Sequence, residues 1–175
     1  MQLKKQLNIL SPCGMLGYGF PQESFERAFE YEIDGIVVDA GSTDAGPHKL
    51  GANVSIVSRM ALKKDLKAMI AKGIEHKIPV IIGSAGGAGA KSHVEQTIEV
   101  IREILQEMNE HAKLGIIWAD FSQEEIIEAL NENRISPLSE NIPALTIEKI
   151  EQTHTIVAQM GHEPFVQALE SGCDI

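Results

Sequence analysis

Pro79-Val80-Ile81-Ile82-Gly83-Ser84-Ala85-Gly86-Gly87-Ala88-Gly89 is followed by apolar residues at Val94, Ile98, Ile101 and Leu105. The Val-Ile-Ile run carries no polar alternation, the pattern of a strand covered on both faces. Glycines then stop it, and the spacing of the next apolar residues lines one face of a helix. Strand, glycine turn and helix in that order form the central piece of a βαβ crossover, which requires a parallel sheet.

The same rhythm extends in both directions. Upstream, Leu62, Leu66, Met69 and Ile70 mark a helix within Ser55 to His76 that cannot continue through Pro79. Before it stand the β-branched run Ile36-Val37-Val38, a helix from Pro21 to Glu32 with Phe25, Ala28 and Phe29 on one face, and a first strand at Leu7 to Leu10. Downstream, Leu114 to Trp118 reads as a fourth strand ending at Asp120. Ser122 is placed to cap a helix with Glu125 at the capping-box position, and Ile126, Ile127 and Leu130 form its apolar face. Asn131 to Leu145, with Pro137 and Pro143, interrupts the pattern as a loop excursion. The expected fold is α/β, a parallel sheet flanked by helices. An open doubly wound sheet is preferred, with a partial β/α barrel as the alternative built from the same local units.

Composition sets the outer bounds. A chain of 175 residues with 43% hydrophobic residues and a mean hydropathy of -0.04 suits one α/β domain over 1–175. No apolar run approaches the roughly 20 residues that span a bilayer, and the start lacks the apolar stretch of a secretory signal, so a cytoplasmic protein is expected. The formal charge of -10, with the fifteen Lys and Arg scattered, argues against nucleic acid as a partner. Cys13 and Cys173 lie at opposite ends, which fits two reduced thiols and no zinc knuckle.

An internal similarity bears on domain organisation. Phe25-Glu-Arg-Ala28 through Asp34-Gly-Ile36 resembles Phe165-Val-Gln-Ala168 through Asp174-Ile175, but in the second copy no strand is completed. The expectation is an N-terminal fragment of a longer protein. The helix near Pro164 to Ser171 should then leave an apolar face or sheet edge uncovered, through which copies of the chain oligomerise.

In parallel α/β folds ligands collect at the carboxyl ends of the strands. Every unusual segment falls there: Cys13-Gly14 and the glycines after strand one, Asp39 to Gly51 after strand two, Gly83 to Gly89 after strand three, and Asp120 after strand four. Gly83, Ser84, Gly86, Gly87, Ala88 and Gly89 resemble a cradle for a phosphate or carboxylate, assisted by Lys91, although the spacing matches neither a P-loop nor a dinucleotide fingerprint. The competing reading is a tight turn whose glycines only let helix and strand pack. Asp39 and Asp44 flank Ser42 and Thr43, offering carboxylates for proton transfer beside hydroxyls for substrate, and His48 follows in the same loop as a proton shuttle. The same residue types also cap turns, and no metal is expected. Cys13 would act as a nucleophile only with a lowered pKa; otherwise it is a small buried thiol lining the site with Gly14.

Taken together, Ser11-Pro12-Cys13-Gly14-Met15-Leu16-Gly17-Tyr18-Gly19-Phe20, the Asp39-Ala40-Gly41-Ser42-Thr43-Asp44-Ala45-Gly46-Pro47 loop and Gln159-Met160-Gly161-His162-Glu163-Pro164 resemble the acyclic terpene utilisation (AtuA-like) family. Members of that family are considerably longer than this chain. The resemblance implies a link with catabolism of branched acyclic acyl or carboxylate compounds, and it assigns no catalytic residue.

The leading functional expectation is a metabolic enzyme of lyase or hydratase type acting on a small anionic organic acid or acyl-CoA, with CoA entering only as part of the substrate. The alternative is a non-catalytic metabolite-binding subunit or sensor.

Overall fold

The computed structural model describes residues 6–41 and 46–175. It is an α/β fold whose centre is a three-stranded parallel sheet of β1 (Ile9–Leu10), β2 (Gly35–Asp39) and β3 (Val80–Gly83), in that spatial order. Ile9 stands opposite Gly35, and Ile36 to Asp39 pair in step with Val80 to Gly83. The crossovers carry α1 (Gln22–Ala28), then α2 (Gly46–Ala52) and α3 (Arg59–His76). Both crossovers step in the same direction across the sheet. Among the described strands there is neither the reversal of order that marks a doubly wound sheet nor the closure of a barrel.

After β3 the chain makes a 3-10 turn at Ala85–Gly87 and enters α4 (Lys91–Met108). Ile36, Val38 and Val80 bury one sheet face against Leu66, Met69 and Ile70 of α3 and Ile101, Ile104 and Leu105 of α4. Strand period explains the rest of β2: Val37 points to the other face and is only half-buried. Above this core α3 and α4 are laced by ion pairs. Glu103 meets Arg59 at 2.7 Å and Lys63 at 2.5 Å, and Glu107 meets Lys63 at 2.6 Å and Lys67 at 2.8 Å. Hydrogen bonds from Lys63 and Lys67 pull the Glu107 carboxyl down to about 2.

The helix expected over Pro21 to Glu32 stops at Ala28, with Phe25 as its buried anchor. The larger departure concerns the expected fourth strand. Among the described residues Leu114 to Trp118 finds no strand partner; instead Asp120–Phe121 (β4) pairs antiparallel with Ile156–Val157 (β5). The physical reason is the absence of a full neighbour. Among the described residues the place beside β3 is taken only by the tail, where Val80 N–H donates to Asp174 O at 2.9 Å and Gly115 N–H to Ile175 O at 2.8 Å. Ser122 and Glu125 do form the reciprocal capping box of α5 (Gln123–Asn131), and no helix or strand follows until α6 (Ile147–Glu151). The last helix, α7 (Glu163–Glu170), carries no fully buried residue. Among the described residues no helix is long and apolar enough to cross a membrane.

Candidate functional site at the carboxyl ends of β2 and β3

Parallel pairing brings the last residues of β2 and β3 side by side, with Asp39 opposite Gly83 and Ala40 N–H donating to Gly83 O at 2.9 Å. Asp39 is exposed, and its Oδ1 accepts the Gly41 N–H at 2.8 Å. Ser84, the first residue after β3, is also exposed and takes the left-handed conformation at φ 50 and ψ 42. A β-carbon on Gly41 would lie 2.7 Å from Ser84 Cβ, 3.0 Å from Ser84 Oγ and 3.1 Å from Asp39 Oδ1. The carboxylate and the hydroxyl therefore flank one point, which only glycine leaves open. A left-handed serine at a strand end is a strained conformation held by its surroundings.

The loop after β1 is pinned to this edge. Leu16 N–H donates to Asp39 O at 2.8 Å, and the Gly17 and Gly19 N–H groups donate to Asp65 Oδ2 at 2.9 and 3.0 Å. Asp65 is a buried carboxylate on α3, and two amide donors compensate its removal from water. Cys13 is half-buried in this loop while Gly14 is exposed. Burial, and after it the negative charge of Asp65, push the Cys13 thiol upward, although a backbone hydrogen bond at Met15 opposes them. Cys13 is thus held as a neutral thiol, without the lowered pKa that a nucleophile needs.

The glycine turn divides its amides. Gly87 N–H donates to Ser84 O at 2.8 Å, Gly89 N–H to Ala85 O at 3.2 Å, and Gly86 O accepts from Ile56 N–H at 3.3 Å. At the start of α4, Lys91 N–H donates to Asp120 Oδ1 at 3.1 Å, so a carboxylate of the protein itself sits where an external anion was expected. The side chain of Lys91 reaches over Trp118, with Nζ 5.9 Å from the ring centre. The amides of Gly87, Gly89 and Lys91 therefore serve the protein's own fold. Gly83 and Ser84 face the strand ends, Gly86 and Gly87 are buried, and Ala88 is half-buried. Ser42, Thr43 and Asp44 lie outside the described residues. His48 is exposed on α2, the helix that lies against the 3-10 turn.

Two buried groups escaped the sequence reading, Asp65 of α3 and His93 of α4. His93, in the first turn of α4, is fully buried, and among the described residues both ring nitrogens lack a hydrogen-bond partner. Asp120 Oδ2 is buried without one as well. Burial lowers the His93 pKa, and the Asp120 charge pulls it partly back. The available signals were a histidine directly before the Val94 stripe and an aspartate, Asp65, directly before Leu66 in the α3 apolar face. Among the described residues no group of three or more His, Cys, Asp or Glu is arranged to hold a metal ion.

No family model matches the chain, and neither a curated protein nor a solved structure matches it.

Proposed function

We propose that the chain serves organic-acid metabolism as a lyase- or hydratase-type enzyme, taking a small anionic carboxylic acid or its CoA thioester at the carboxyl ends of β2 and β3. The observation that carries the reading is the pair of Asp39 and Ser84 flanking Gly41, a proton acceptor beside a hydroxyl donor at an exposed strand end. In this scheme the Ser84 hydroxyl donates to the substrate carbonyl or carboxylate. Asp39 takes the proton from the carbon next to that group and passes it to the hydroxyl or other group that departs from the following carbon, and the reverse sequence runs in the addition direction. Asp44 and His48 are proposed as further proton-handling groups, and Ser42, Thr43, Cys13 and Gly14 as substrate-binding ones. The resemblance of the Asp39 to Pro47 string to the AtuA-like family supports branched acyclic acyl compounds as the first substrates to try.

The test begins with a thermal-shift screen of short branched and unbranched carboxylic acids and acyl-CoAs, since a bound ligand raises Tm by mass action. Any hit is then assayed for turnover. Asp39→Asn preserves an acceptor for Gly41 N–H, so binding should persist while turnover falls about 100-fold or more, the usual worth of a general base. Binding without turnover in the parent protein assigns the chain to the alternative class, a metabolite-binding subunit.

A further inference from the structure

The apolar cleft beside β3 points to a second feature, independent of the strand-end site. We infer that it is a strand slot: it takes one extended apolar segment of about five residues, parallel to β3 and continuing in register from Ile175.

The inference rests on two identical clasps. At the head of the β1–β2 pair, Asp34 N–H donates to Asn8 O at 2.8 Å and Asn8 N–H donates to Asp34 Oδ2 at 2.9 Å. At the tail, Asp174 N–H donates to Lys113 O at 2.8 Å and Lys113 N–H donates to Asp174 Oδ2 at 2.7 Å. Each aspartate stands nine residues after a helical phenylalanine, Phe25 of α1 and Phe165 of α7. After the first clasp Gly35 enters β2 opposite Ile9. By the same count Ile175 stands opposite Leu114, and Gly115 N–H donating to Ile175 O confirms the register. The tail thus already bridges both flanks for one strand residue, since Val80 N–H also donates to Asp174 O.

Beyond that residue the flanks part around a cavity of about 450 Å³, lined by Val80, Ile82, Ile98, Ile117, Phe165 and Ala168 among others. Backbone groups alternate sides along a strand. Pro79 O and Gly83 O face β2, so Val80 and Ile82 present theirs to the cleft, and on the opposite flank Gly115 and Ile117 do so. An inserted strand satisfies both rows and covers the apolar walls, including the half-buried face of α7. β2 supplies the measure, with Gly35–Asp39 as the five-residue counterpart of the segment that begins at Ile175.

The test appends Ile-Val-Val-Asp, the sequence of β2 from Ile36 to Asp39, to Ile175, with Ser-Pro-Ser-Asp as the control extension. Amide hydrogen exchange at Ile82 and Ile117 is followed by NMR, and mass by light scattering. The inference expects a monomer whose Ile82 and Ile117 amides exchange about tenfold or more slowly with the apolar extension than with the control, together with a higher Tm. Equal exchange in the two extended proteins overturns it. So does protection of both amides in an unextended dimer, which would make the cleft an edge for a second copy.

Discussion

Adding a methyl group at Gly86 and at Gly89 gives two substitutions that share one cost and differ in another. Both residues are left-handed, at φ 72 and φ 69, so alanine at either place carries the steric penalty of ~1–2 kcal/mol. The surroundings differ sharply. At Gly89 the nearest outside atom to the new carbon would be Ser84 Cα at 3.9 Å, an ordinary contact. At Gly86 it would lie 2.5 Å from His93 Cβ and 3.2 Å from His93 Cα, which is the backbone of α4 and has no rotamer to yield. Overpacking of this kind costs a further ~1–3 kcal/mol as the helix is pushed off the turn. Urea denaturation, followed by the far-UV signal at unchanged m, should show Gly86→Ala less stable than Gly89→Ala by that second amount. Equal losses for the two variants would refute the close seating of α4 on the glycine turn.

Other outcomes follow from the same structure. Because the Glu107 carboxyl is held at about 2 and that of Glu103 is also lowered, their contribution is complete above the ordinary carboxylate range and is lost as pH falls from about 4.5 toward 2. Glu107→Gln should flatten that part of the stability profile, and added salt should do the same, as expected for exposed pairs. Asp65→Asn should lower the pH midpoint for alkylation of Cys13, measured in a Cys173→Ser background, because it removes a charge that holds the thiol proton on. Gly115→Val should loosen the tail, since a β-carbon there would lie 2.9 Å from Ala168 Cβ and 3.2 Å from Cys173 Sγ. Faster amide exchange at Val80 is the readout.

What could be read from the residues and what could not divide along physical lines. β2, β3 and the α4 stripe were legible because covered parallel strands and amphipathic helices impose periods that survive in any context. The α5 capping box was legible for a similar reason, since the two reciprocal bonds are local. Leu114 to Trp118 carried an equally strong strand signal, yet a strand also needs a partner, and pairing is a long-range fact. The short β4–β5 pair and α6 had no comparable pattern. At the site, Asp39 and Ser84 stood out by lying at strand ends. Their shared approach to Gly41, the spending of the Gly87 and Gly89 amides within the turn, and the Asp120 carboxylate at the head of α4 depend on how segments far apart in sequence meet.

Ligand binding at the strand-end site is tested by an amide NMR titration of the parent protein with the carboxylate or acyl-CoA that gives the largest thermal shift, repeated on Ser84→Gly, which keeps the left-handed backbone and removes the hydroxyl. A strand-end site gives saturable shifts centred on Asp39, Gly41 and Ser84, and weaker binding in the variant. Shifts centred instead on Ile98, Phe165 and Leu169, with unchanged affinity in Ser84→Gly, would contradict it.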